Sequence, residues 1–541
     1  MGKYAIVVAD NIKGSGLDLL KKHFGEDSII ARGKFSEDEL VAGISGYDAL
    51  LIRSATTVTR RAIEAAGSRL KLIGRAGVGT DNIDKPAATE HGVIVMNTPF
   101  GNTISAAEQA IAMLFATARN TARADRLMQE GKWEKKSLVG SEVFGKTLGV
   151  VGMGKIGQHV VKVMQAAGMK VVAFDPFFPA DRARELKVEL FADVNDVLKR
   201  ADFVTFHTPL TDETRNLLNA DRIALMKRGA RVVNCARGGI VDEAALAEAV
   251  KSGHIAAAGF DVFSKEPMTE GPLFGVKDIT LAPHLGASTE EAEERCGLQM
   301  AEQVIAYFGE GKIQNAVNVT FSPDESLRAY AELASSMGRI ASFLVNAPVN
   351  EVEVRVGGKF FADKDCGILR YSAVKGILER YGVEGVNNIN AMFLAQQRGI
   401  KAELVLANGE DSSLRVDHVD MYVRGVQDGV SKQTHLAGTV YQDGRKRLIQ
   451  IDDADIEVRL DDYMIFMRYP DRPGVIGRIG TILGDAGINI ENMQVGILKK
   501  LKKASMVIGT EAAVPPAVVE RIRTDDYLQV ERIYSVNLVE E

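Results

Sequence analysis

Cysteine is nearly absent from this sequence. Its 541 residues hold three, Cys235, Cys296 and Cys366. The count is odd and the spacing wide, with no C-x-x-C pair, which argues against a disulfide framework or a zinc site and for a reducing compartment. Long apolar runs are also missing. None approaches the ~18 residues of a membrane helix, and Asp10 closes KYAIVVAD too early for a signal peptide. A surplus of positive charge is lacking too. Sixty-six Lys and Arg against 72 Asp and Glu leave a net charge of −6, which gives no field to draw the chain to nucleic acid or an anionic membrane. A few local arginines can still hold a phosphorylated small molecule. The expectation is a cytoplasmic protein with no metal, no nucleic-acid partner and no membrane partner.

What is present is a globular composition, 46% hydrophobic and 26% charged, over a length that at ~150 residues per domain makes three or four units. In the first hundred residues AIVVAD, YDALLIRS, RLKLIGRAG and GVIVMNTP each end in a polar or Gly-rich turn. That rhythm marks a parallel α/β sheet, whose ligands gather at the carboxyl ends of its strands. Arg53 and Arg75 stand at those ends. A helical pattern, TISAAEQAIAMLFATARNTARADRLMQEGKW, leads to the strand KTLGVVGMG and a second α/β unit running to about residue 287. Ser288 and Glu291 have capping-box spacing before another helix. We expect that helix to pair with the one near 104–130 and return the chain to the first unit. From about 322 an α+β module follows, with strands NEVEVRV and KAELVLAN and a hairpin turning at QDGR. The last ~80 residues read β-α-β-β-α-β, the ferredoxin-like order.

The sharpest motif is VVGMGKIG. Gly152, Gly154 and Gly157 form G-x-G-x-x-G between a strand and a helix: one glycine for the turn, one for backbone approach to a pyrophosphate, one for close helix packing. The helix N-terminus then offers free N–H groups to the phosphates. The next strand ends at Asp175, 18 residues past Gly157. A carboxylate there accepts from ribose hydroxyls and repels a 2′-phosphate, which favours NAD over NADP.

Three further residues each follow an apolar run: Arg237 in RVVNCARGG, Glu266 in GFDVFSKEP and His284 in DITLAPHLGAST. Singly, each reads as an ordinary turn residue. Together they supply what oxidation of a 2-hydroxy acid requires: a base of near-neutral pKa for the hydroxyl proton, a carboxylate to fix its tautomer, and a forked, permanent cation for the substrate carboxylate and C2 oxygen.

These segments, with FVTFHTPLTDETRNLLN, resemble the D-isomer-specific 2-hydroxyacid dehydrogenases over roughly residues 100–290. The resemblance implies Arg237 as substrate-orienting arginine, Glu266 as partner of the acid/base His284, and NAD contacts at Lys155, Ile156, Asp175, Thr208, Cys235, Asp261 and Gly286. LLIRSATTV and LIGRAGVGTDNID are similar to substrate loops of members that take a phosphorylated 2-hydroxy acid. Arg53, Ser54 and Arg75 would hold its phosphate and carboxylate, helped by backbone N–H groups around Gly77 and Val78. YPDRPGVIGRIGTILGDAGINI resembles the ACT regulatory domain, in which Asp471 and Asn489, with Tyr469 nearby, would hold an effector amino acid, serine, in a homo-oligomer, with a tetramer favoured. The implied architecture is α/β. Two Rossmann-like doubly wound domains, substrate-binding (1–98 plus 289–320) and NAD-binding (99–288), precede an α+β intervening domain (321–455) and the ACT domain (456–541). Two other readings share the Arg–Glu–His set: a reductase of glyoxylate or hydroxypyruvate without a regulatory tail, and a non-catalytic NAD-sensing scaffold.

Overall fold

The computed structural model describes residues 4–321, 324–406, 417–498 and 501–539. Two residues of the expected KAELVLAN strand, Ala407 and Asn408, and Ser322 and Pro323 before the third module lie outside them. No helix among the described residues is long and apolar enough to cross a membrane.

The first sheet contains β1 (Ile6–Val8), β2 (Ile29–Ala31), β3 (Ala49–Ile52), β4 (Leu72–Arg75) and β5 (Ile94–Asn97), all parallel, in the order β2-β1-β3-β4-β5. Its central strands are apolar throughout because both faces are covered. Val7, Leu50, Ile52, Ile73 and Val95 enter one core, while Ile6, Val8, Leu51, Leu72 and Ile94 enter another on the opposite side. The second core is completed by Cys296, Met300 and Val304 from the Glu290–Glu310 helix, so the chain does return to the first sheet. That helix packs against the Ser15–Phe24 helix. The expected pairing with the 104–130 stretch is corrected: it is limited to end contacts, a Ser105–Thr289 hydroxyl bond of 2.7 Å and Arg295 Nε donating to the Gly101 carbonyl at 3.0 Å.

Two local expectations change. The helical stretch after Pro99 is two helices, Thr103–Arg119 and Thr121–Gln129, broken where Asn120 takes a left-handed φ of 55°. The N-cap of the Glu290–Glu310 helix is Thr289, whose side chain accepts from Ala292 N–H. Ser288 lies one residue outside the cap, its N–H closing a turn on the Leu285 carbonyl at 2.8 Å.

The second sheet joins β6 (Thr147–Val151), β7 (Lys170–Phe174), β8 (Glu189–Phe191), β9 (Phe203–Phe206), β10 (Ala230–Asn234), β11 (Ile255–Phe260) and β12 (Ile279–Leu281), again all parallel, in the order β12-β11-β10-β9-β6-β7-β8. The order reverses between β6 and β9. That switch point opens a crevice at the strands' carboxyl ends.

A third sheet orders β14 (Lys401–Leu406), β13 (Val349–Gly357), β15 (His418–Gln427), β16 (Val430–Val440), β17 (Lys446–Ile451) and β18 (Ala454–Arg459). Only β13–β14 is parallel. The QDGR turn joins β16 to β17, with Tyr441 and Arg445 bonded across it. The helices Arg328–Leu344 and Gly367–Arg380 pack against this sheet. The fourth sheet is antiparallel, β20 (Ile490–Leu498), β21 (Lys503–Thr510), β19 (Tyr463–Pro470) and β22 (Arg532–Asn537), with the helices Val475–Asp485 and Pro516–Arg523 covering one face. Met464, Phe466, Val507 and Val536 on its other face join the core of the third module. Asp452 bridges the two as well, paired with Arg468 at 2.6 Å and Arg532 at 2.9 Å.

Candidate active site

The switch point is built for a dinucleotide. Gly152 has φ 98°, and a Cβ there would lie 2.6 Å from the His207 carbonyl oxygen, so only glycine makes this turn. A Cβ on Gly157 would strike the Gly152 carbonyl, which fixes how closely the Lys155–Ala166 helix approaches β6. Above Gly154, the helix N-cap, the space is open. The motif thus presents helix N–H groups beneath open space, the arrangement in which a helix N-terminus receives an anion. Asp175 follows β7, with one carboxylate oxygen on Met153 N–H (2.8 Å) and the other on Phe177 N–H (2.9 Å). Each oxygen keeps a lone pair for a ribose hydroxyl. The Thr208 hydroxyl oxygen is buried without a partner among the described residues. A buried orphan of this kind is a place where a bound ligand supplies the missing bond. Burial, then the nearby Asp261, pushes the Cys235 thiol up, so it stays protonated. Ile156 packs into the core, and the Lys155 ammonium sits 3.1 Å above the Phe100 ring.

Asp261 and Gly286 are bonded to each other, and Asp261 is fully buried. Asp261 accepts from the N–H groups of Leu285 (2.7 Å) and Gly286 (2.8 Å), with Gln109 at 3.3 Å. These bonds hold the loop on which His284 sits with a left-handed φ of 57°. His284 Nδ1 lies 2.6 Å from Glu266 Oε2, and Glu266 Oε1 accepts from Phe263 N–H at 2.9 Å. Burial works to raise the Glu266 carboxyl, but the bonds from His284 and Phe263 and the charge of Arg237 outweigh it and hold the group below its ordinary value. An ionised Glu266 can only accept. The proton of a neutral imidazole therefore rests on Nδ1 and the lone pair on Nε2.

Arg237 follows β10. Its Nε donates to Asp81 Oδ2 at 3.1 Å and Nη1 to the Ala236 carbonyl at 2.7 Å, while the buried Asn234 braces its backbone. From the first sheet come Arg53 and Arg75. The Arg53 loop is pinned by Asp10, which accepts from Arg53 N–H (2.7 Å) and the Thr56 hydroxyl (2.5 Å), and by Asn82, which donates to the Arg53 carbonyl (2.8 Å). Arg75 is largely enclosed, and its Nε has no partner among the described residues. Burial first, then the charges of Arg53 and Arg237, pull its guanidinium down to about 10. Three arginines close enough to repel one another concentrate positive charge that can receive an anion. Ser54 lies exposed at its edge. Gly77 differs from expectation. Its N–H is spent on the Arg75 carbonyl at 2.8 Å in a tight turn, so it is not offered to an anion.

Asp10, Asn82, Asp81 and Gln109 were not singled out by sequence reasoning. Asp10 closes AIVVAD, so a polar residue at a strand end was the available signal there; Asp81 and Asn82 lie within GVGTDNID, in the loop well past the end of β4.

In the fourth sheet Tyr469 is buried in the core of β19, and burial followed by the charge of Asp471 pushes its phenol up to about 12. Asp471 and Asn489 are exposed and are not brought together within the chain. Pro470 pairs with Lys503 and Ile490 with Thr510, which puts them at opposite ends of β21, roughly 24 Å apart at ~3.4 Å per residue.

A dinucleotide cradle facing a proton acceptor and an anion site is the chemistry of an NAD-dependent oxidoreductase acting on a hydroxy acid. Comparison with known proteins agrees. Residues 111–286 match the family model of the D-isomer specific 2-hydroxyacid dehydrogenase NAD binding domain, 326–452 that of the D-3-phosphoglycerate dehydrogenase intervening domain, and 463–525 that of the ACT domain. A D-3-phosphoglycerate dehydrogenase of Synechocystis sp. is 40% identical over 96% of this chain and 92% of its own length; one of Methanocaldococcus jannaschii is 38% identical over 96% and 97%. Among solved structures, a Thermus thermophilus protein with 34% identity aligns with a TM-score of 0.52 over 58% of this chain and 99% of its own. The chain belongs to the D-3-phosphoglycerate dehydrogenase family.

Proposed function

We propose that the protein oxidises 3-phospho-D-glycerate to 3-phosphohydroxypyruvate, the first step of the phosphorylated route to L-serine, with serine acting back through the ACT domain. The observation that carries this reading is the His284–Glu266 contact of 2.6 Å in a cleft that also gathers Arg237, Arg53 and Arg75. Bound NAD⁺ supplies the hydride acceptor. His284 Nε2 takes the C2 hydroxyl proton, and Glu266 balances the imidazolium that forms. Arg237 holds the substrate carboxylate and C2 oxygen, while Arg53 and Arg75, with Ser54, receive the phosphate. Gly152, Gly154, Lys155, Ile156, Gly157, Asp175, Thr208, Cys235, Asp261 and Gly286 line the cofactor side.

We further infer a cytoplasmic homo-oligomer, with a tetramer favoured. Trp133, Val139 and Phe144, within one twelve-residue stretch, are 75–80% exposed, which supports burial of this stretch against a second copy. The separation of Asp471 from Asn489 supports a serine pocket shared by two ACT domains. The test is NADH formation with 3-phosphoglycerate against glycolate and D-glycerate, with and without serine. Turnover confined to the non-phosphorylated acids would overturn the substrate reading. Indifference to serine would overturn the regulatory one.

A further inference from the structure

The two arginines that enter the cleft from opposite sides each meet a carboxylate, but on different nitrogens. Asp81 takes Nε of Arg237, the inner nitrogen. Glu293, in the first turn of the Glu290–Glu310 helix, takes the terminal Nη2 of Arg53 at 2.7 Å. A terminal nitrogen is one that a phosphate oxygen binds, so Glu293 stands where an anionic ligand of Arg53 would stand.

Glu293 is not needed to place the Arg53 loop. Asp10 and Asn82 hold that main chain through its N–H and carbonyl. Nor is the Glu293 side chain locked, since it is 49% exposed. It can swing into solvent and leave Arg53 open. Its neighbour Arg75 feels the charge of Arg53, and the Nε of Arg75 has no partner among the described residues. With Glu293 seated, one positive charge of the cluster is neutralised. Once it leaves, Arg53 and Arg75 face a ligand together.

We propose that Glu293 is an internal counter-ion that competes with the substrate phosphate for Arg53 and so sets the affinity of the site for its anionic substrate. The proposal rests on the reading of Arg53 as a phosphate-binding residue. A residue that merely supported the loop would weaken binding when altered; a competing anion strengthens it. The sign of the change therefore separates the two roles, and damage to the fold does not produce a gain.

The test uses the full chain with Glu293→Gln, which keeps the shape and removes the charge. Two quantities are read: KM for 3-phosphoglycerate, and Ki for inorganic phosphate as a competitive inhibitor. Both are expected to fall about two- to fivefold, the size an accessible ion pair carries. Adding Glu293→Gln to an Arg53→Ala chain is expected to leave Ki where Arg53→Ala put it. Values equal to or above wild type in the single variant, or an equal gain without Arg53, overturn the proposal. If the unaltered chain does not turn over 3-phosphoglycerate, the functional reading fails separately. Calorimetric titration of inorganic phosphate into the two chains then decides the role of Glu293 alone.

Discussion

Arg237 and Asp81 join the two sheets across the cleft, Nε to Oδ2 at 3.1 Å. The arginine follows β10 and the aspartate follows β4, so the pair forms only when both units are in their present relation. Nη1 is tied to the Ala236 carbonyl, and Asp81 fixes the guanidinium from the other side. Unlike Glu293, it leaves a terminal nitrogen, Nη2, for a substrate carboxylate.

Asp81→Asn is therefore expected to raise KM for 3-phosphoglycerate, the opposite sign to Glu293→Gln. Asp81 is 75% exposed, so the effect is held to about two- to fivefold. Asp81→Glu should recover part of the loss. Steady-state kinetics on the three chains checks this. An Asn variant with wild-type KM would show that Arg237 is oriented without Asp81.

Glu266→Gln tests the dyad. The amide can present an N–H to His284 Nδ1, which moves the imidazole proton to Nε2 and removes the lone pair aimed at substrate. It also strips the charge that balances the imidazolium. The expected loss in kcat is on the order of 10²–10⁴, the range of a misplaced general base. Stopped-flow measurement of the first turnover isolates the chemical step. A loss below tenfold would mean that His284 works without its partner.

The parts of the fold legible in the sequence were those whose physics is local. Strands buried on both faces must be apolar runs, so β1, β3, β4 and β5 announced themselves, and the Gly152 turn with its helix needed no distant partner. Short edge strands such as β2 and β8 carry little pattern because they have few residues to bury. By type Ser288 is at least as good a cap as Thr289, and it is the start of the helix at Glu290 that makes Thr289 the N-cap. The site was legible as residue types at strand ends but not as pairs. Asp10 and Arg53, 43 residues apart, and Asp81 and Arg237, 156 apart, become partners through sheet order and domain approach, which no motif spacing encodes.

Asp175→Ala bears on cofactor choice. The carboxylate both accepts from the N–H groups of Met153 and Phe177 and offers spare lone pairs to a ribose. Its removal should weaken NAD⁺ binding by about ten- to hundredfold, the worth of hydrogen bonds to a charged acceptor. The penalty against a 2′-phosphate should fall at the same time. Fluorescence titration with NADH and NADPH reads both. Unaltered preference between the two would move discrimination elsewhere in the crevice.

His207 gives a pH dependence of stability. It lies at the switch point with Nε2 3.2 Å from the Thr205 hydroxyl, and burial pulls its imidazole from the ordinary 6.5 down to about 4. The unfolded chain takes up a proton near the ordinary value, whereas the folded chain resists until about 4. Stability is therefore intact above about pH 6.5, declines as pH falls through the window to 4, and has lost its full share below that. The share is at most about 3 kcal/mol, with about 2 kcal/mol already gone at pH 5. Because His207 keeps some solvent contact, these are upper figures. His207→Gln does not titrate, so urea midpoints measured across this window should fall less steeply than in the unaltered chain, whatever the offset between the two at neutral pH. Parallel slopes would show that acid sensitivity arises from other groups.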